Sequence, residues 1–91
     1  MPHGPLTDAI DPAVIESLFA LYRNGDYSTL AERAESLLST YPDVLVLHSL
    51  HGAALLELGD YAGAIESYQA ALHIKPDFEK LHNSLGIVQL R

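Results

Sequence analysis

Histidines are the side chains of this chain whose type and spacing could do chemistry. The chain has 5 of them, and His48 and His51 lie three positions apart, which would place both imidazoles on one side of a helix. Two such rings could offer two ligands to a metal ion, but the sequence places no third or fourth ligand beside them. We therefore expect both rings to pack or to hydrogen-bond in a half-buried setting, with metal binding as the weaker alternative.

Motifs for catalysis are missing from the sequence. The chain has no cysteine, and it contains no glycine-rich phosphate loop, no serine elbow and no pair of carboxylates set on an apolar wall. Its helix carboxylates, Glu32, Glu35, Glu57 and Glu66 among them, have polar neighbours and are expected on solvated faces. We predict no enzymatic activity, no cofactor and no resident metal.

Composition narrows the classes of partner. The chain has 91 residues, 48% of them hydrophobic, and a net charge of -7. It should therefore fold, and it should be repelled by nucleic acid and by anionic lipid. Residues 1–10 do not have the pattern of a signal peptide, and the longest apolar stretch, 44–58, is too short to span a bilayer. Together with the lack of cysteine, this predicts a soluble, cytoplasmic protein.

A repeat of 34 residues runs along the chain. Gly25, Asp26 and Tyr27 recur as Gly59, Asp60 and Tyr61, and further matches at the same offset join Leu38 to Leu72, Pro42 to Pro76, Leu47 to Leu81 and Gly52 to Gly86. A fixed period of this length is the signature of a repeat architecture.

Helical spacing and turn residues divide each period into two helices. Asp11 and Pro12 open the first helix, and Pro42 stops the second. No segment alternates convincingly as a strand. We predict an all-α chain of five helices. The first runs from Pro12 until Asn24-Gly25, the second carries Leu30 to Leu38 and stops before Pro42, and the others span about 44–58, 62–74 and 77–91.

These features resemble the tetratricopeptide repeat (TPR) family. Residues 45–78 give His48-x2-His51-Gly52-x2-Leu55, followed by Ala64-x3-Tyr68 and Pro76. The resemblance implies a right-handed stack of antiparallel helix pairs with a flexible lead at 1–10. It makes 11–44 a degenerate first repeat, 45–78 a regular repeat and 79–91 the first helix of a truncated third. The first repeat has Leu18 where the pattern expects glycine, so its helix crossing should be looser or differently angled.

In this family the first helices of successive repeats line a concave groove that typically holds peptides, and that likeness implies a protein or peptide partner. The groove positions in this chain are Ile15, Phe19, Tyr22, Val46, Ser49, Ala53, Leu56, Lys80, Asn83, Ile87 and Leu90. As an alternative, the first helix packs differently and buries Ile15 and Phe19. Apolar residues also stand where a carboxylate clamp would need Lys or Asn, so no such clamp is predicted.

The truncated third repeat leaves a helix without a partner, and two explanations follow. In the first, the chain is the N-terminal part of a larger protein. By analogy with bacterial proteins that it resembles, the rest would be a glycosyltransferase, sulfotransferase or methyltransferase region. Alternatively, a second copy covers the open face in a homodimer, which makes the chain a self-assembly module.

Overall fold

A computed structural model describes residues 10–75 as an all-helical chain. Within that range there are four helices and no strand: α1 (Pro12–Arg23), α2 (Tyr27–Thr40), α3 (Leu45–Glu57) and α4 (Tyr61–Ile74). The prediction of an all-α fold is confirmed, whereas the count of five helices is not matched. The predicted fifth helix falls on residues 77–91, which lie outside the described part, as do the lead residues 1–9.

The N-termini of α1 and α4 are capped by aspartates. Asp11 Oδ1 accepts the backbone N–H of Ala13 at 2.9 Å, and Pro12 occupies the first helical position, where no hydrogen-bond donor is needed. Asp60 Oδ1 accepts the N–H of Gly63 at 3.0 Å. Each cap satisfies an amide that the helix itself leaves unpaired, so the sequence fixes where these two helices begin.

Two glycines end α1 and α3 in the same way. Gly25 has φ +76° and Gly59 has φ +85°, a left-handed conformation that side chains with a Cβ rarely adopt. After α1, Asp26 N–H donates to Leu21 O at 2.9 Å and Gly25 N–H donates to Tyr22 O at 3.1 Å. The same pair of bonds follows α3 and completes a Schellman motif at each end. The 34-residue sequence repeat therefore places the same turn after α1 and after α3.

The core lies mainly between α1, α2 and α3. Leu18, Leu30 and Leu47 are fully buried in one cluster, which also contains Val44 and Leu50. Ile10, which the sequence assigns to the flexible lead, is only 3% exposed and belongs to this cluster. Residue 10, the last residue of the predicted lead, therefore packs in the core.

A second cluster joins α3 to α4. Ala64, Tyr68 and Ala71 are buried there, and Tyr68 lies against Gly52 of α3. A Cβ at position 52 would stand 2.8 Å from Tyr68 Cε1, which is closer than atoms of this kind approach. The small residue predicted at this crossing is therefore required by the Tyr68 ring.

The first helix pair is packed more loosely than the second. Leu18 takes the position that corresponds to Gly52, and α1 contacts α2 much less extensively than α3 contacts α4. This is the looser crossing expected from the sequence, because a leucine holds the two helix axes apart where a glycine lets them approach.

Candidate interaction groove

Seven of the predicted groove residues lie in the described range, three on α1 and four on α3. We call them the α1–α3 strip: Ile15, Phe19, Tyr22, Val46, Ser49, Ala53 and Leu56. The two helices that carry them contact each other. Phe19 is 38% exposed, while the other six are half-buried. The remaining predicted residues, Lys80, Asn83, Ile87 and Leu90, fall outside the described residues.

Most side chains of the strip also take part in packing. Ile15, Tyr22 and Val46 pack against the first core cluster, and Leu56 packs against the second. Phe19 belongs to neither cluster and presents a large apolar surface to solvent. The strip is therefore the outer side of the core, and the ring of Phe19 is its most exposed side chain.

Ser49 stands in the middle of the α3 part of the strip. Its Oγ is buried and has no hydrogen-bond partner among residues 10–75. A buried hydroxyl without a partner costs free energy, so this atom favours any water or ligand group that can reach it.

Tyr22 links the ends of α1 and α3. Its hydroxyl lies near the Glu57 carboxylate, and its ring meets that of Tyr27 edge to face at a centroid distance of 5.5 Å. Burial raises the pKa of Tyr22 above 10.0, and the negative charge of Glu57 raises this pKa further. The phenol of Tyr22 therefore stays protonated at pH 7. The sequence indicated only a solvated face for Glu57, because no local spacing pairs it with a residue of α1.

The two histidines of α3 are used in local hydrogen bonds. His48 Nε2 lies 2.7 Å from Pro42 O in the loop before α3, and His51 Nδ1 lies 2.9 Å from the buried Ser67 Oγ on α4. Burial lowers the pKa of His51 below 6.5, so the ring is neutral at pH 7. Nowhere in residues 10–75 do three histidine or acidic side chains converge as a metal site would need. Both rings act as structural links between elements.

Sequence reasoning missed two exposed apolar residues at the α3–α4 turn. Leu58 is 47% exposed and Tyr61 is 38% exposed. They lie on either side of Gly59, in the turn where α3 ends and α4 begins. Among the described helices, none is both long and apolar enough to cross a membrane.

Comparison with known proteins gives two matches. Residues 52–91 match the family model described as TPR repeat. Over 75 residues the chain is 35% identical to Superkiller complex protein 3 of Homo sapiens, an alignment that covers 81% of this chain and 5% of that protein. The chain thus spans about 5% of the length of this curated relative. No solved structure gives a significant match. TPR repeats generally mediate protein–protein interaction, and TPR domains are typically non-enzymatic scaffolds.

Proposed function

Because the chain carries a helical repeat of the TPR family, we propose that it is a protein–protein interaction module without enzymatic activity. Its α1–α3 strip would bind a peptide or helix segment of a partner protein. The observation that carries the proposal is the exposure of Phe19, a large aromatic ring, on a face otherwise made of half-buried apolar side chains from two helices. Aromatic residues set in such surroundings are frequent anchors of binding energy.

The neighbours of Phe19 support this role because they are already held in place. Ile15 and Val46 pack against the first core cluster, so they need little reordering when a ligand arrives. Binding to a preformed surface avoids much of the entropy cost of ordering side chains. The strip also carries no charged side chain at pH 7. An apolar segment fits it better than a charged one.

A cytoplasmic location belongs to the same proposal. It rests on composition, because a chain without cysteine suits a reducing compartment.

Peptide selection tests the proposal directly. A displayed library of helical and extended segments would be selected on the full chain, and the affinity of the best segments measured by calorimetry. Phe19→Ala should weaken binding at least about tenfold, the loss typical of an anchor residue. Leu58→Ala is the matched control, since it removes a similar exposed apolar side chain outside the strip. Leu56 is a poorer probe, because it packs against the second core cluster.

The outcome separates the two interaction hypotheses. Equal loss in both variants, or none in either, would exclude the strip as the binding surface, provided that circular dichroism shows unchanged helicity. Light scattering over a hundredfold concentration range completes the test: a mass that doubles with concentration and reverts in Phe19→Ala would show that the strip serves self-association instead.

A further inference from the structure

A hydrogen bond between two side chains links α3 to α4 inside their interface. His51 Nδ1 of α3 lies 2.9 Å from Ser67 Oγ of α4. Ser67 is 6% exposed, and it is the only polar residue among residues 10–75 that is buried as a whole. The bond lies beside the contact of Gly52 with Tyr68, because its two residues directly precede these two in the chain. A titratable ring therefore takes part in the crossing of the two helices.

The interface between α3 and α4 has a small apolar core of its own. The buried residues of the second cluster are Ala64, Tyr68 and Ala71, two of which are alanines, whereas the first cluster has eight buried residues. Among the described helices, α4 packs mainly against α3. An element with few buried apolar contacts can open separately from the rest of a domain. The release of α4 therefore requires only this interface to open.

Protonation of His51 acts against this interface. Burial disfavours the charged imidazole and is the largest cause that lowers the pKa of His51 below 6.5. Glu35 of α2 and Asp60 before α4 favour the charged form, whereas His48 of α3 disfavours it. Once α4 is released, the ring is open to water and its pKa returns towards 6.5. Acid therefore favours the state in which α3 and α4 are apart.

We propose that His51 and Ser67 form an acid-sensitive latch: protonation of the imidazole releases α4 from α3 while α1, α2 and α3 stay packed together. In the closed state the Ser67 hydroxyl donates to the neutral Nδ1 of His51, and this bond holds the ring between the two helices. A charged imidazole carries a proton on Nδ1, so the hydroxyl cannot donate to it. Opening of the latch exposes Tyr68 and Ala71 of the second cluster to solvent.

Amide hydrogen exchange of the full chain, followed in ¹H–¹⁵N spectra at about pH 7.5 and about pH 5.5, tests the latch. In the open state about nine in ten His51 rings are charged at the lower pH, since the pKa there is about 6.5. Protection factors of the amides of residues 68, 71 and 72, corrected for the intrinsic effect of pH on exchange, should therefore fall by up to about tenfold. At both pH values these amides should be less protected than those of residues 34 and 37 on α2. Their protection should also depend less on low concentrations of urea, because a local opening exposes less surface than global unfolding.

His51→Gln removes the titrating ring and should abolish the fall in protection of α4. His48→Gln is the matched control and should keep it, because the His48 ring contacts Pro42 O before α3 and not α4. Three results would overturn the proposal. In the unaltered chain these are an α4 protection that does not change with pH, and an equal protection and urea dependence of α2 and α4, which means that the opening is global. The third is a fall of the same size in His51→Gln, which assigns the acid response to another group.

Discussion

The contact between Gly52 and Tyr68 gives the sharpest test of how α3 and α4 are held together. In an ordinary helix, replacing an interior glycine by alanine stabilises by about 1 kcal/mol, because alanine has the higher helix propensity. Here the new Cβ would stand 2.8 Å from Tyr68 Cε1, 3.0 Å from Cδ1 and 3.1 Å from Cζ. Tyr68 is 4% exposed and has little room to move.

The effect of Gly52→Ala on the free energy of unfolding is the gain in helix propensity minus the cost of crowding the Tyr68 ring. Overpacking of a buried site costs about 1 to 3 kcal/mol. After the gain in propensity, we expect a net destabilisation of about 1 kcal/mol, which lowers the melting temperature by about 4 to 8 °C in a domain of this size.

A double-mutant cycle isolates the ring. Tyr68→Val removes all three ring atoms that crowd the site, so Gly52→Ala in that background should stabilise by up to about 1 kcal/mol. The four proteins would be compared by urea unfolding, with the slope of each transition checked for constancy. If Gly52→Ala stabilises both backgrounds equally, the Tyr68 ring does not set the separation of the two helices, and the reasoning is refuted.

The remaining predictions concern the turns and the pH dependence of stability. Gly25→Ala and Gly59→Ala should each destabilise by about 1 kcal/mol because both positions have positive φ, and a melting temperature equal to that of the unaltered chain would contradict this. The pKa of His51 is lowered in the folded state, so the unfolded chain binds a proton more readily. The free energy of unfolding should therefore be highest above pH 6.5 and should decrease as the pH drops below it. His51→Gln should flatten this dependence between about pH 7 and 5. Unfolding curves that keep the same pH slope in His51→Gln would contradict the assignment.

Much of the fold could be predicted from local sequence signals. Asp11 with Pro12 marks the start of α1, and Gly25 and Gly59 mark the ends of α1 and α3, because caps and left-handed turns depend on the few residues that form them. The helix bounds of the structure differ from the predicted bounds by only a few residues. The predicted fifth helix lies outside the described residues.

The candidate site was less accessible from the sequence. Helical periodicity places Ile15, Phe19 and Val46 on one strip, but it does not give the exposure of each side chain. The same pattern is compatible with a strip that is exposed along its whole length and with one that is buried along its whole length. In the structure Phe19 is the most exposed of the seven strip residues, at 38%, since Ile15, Tyr22 and Val46 pack against the core of three helices.

What the sequence determined by itself is the order of helices, their turns and the repeat that relates them, because these depend on residues close together in the chain. Only the tertiary structure decided which residues of different helices meet: His51 of α3 with Ser67 of α4, and Gly52 of α3 with the ring of Tyr68 of α4. Each of these depends on the distance and rotation between two helices. That geometry follows from how the buried side chains pack together, as Leu18 and Gly52 show at equivalent positions of the two repeats.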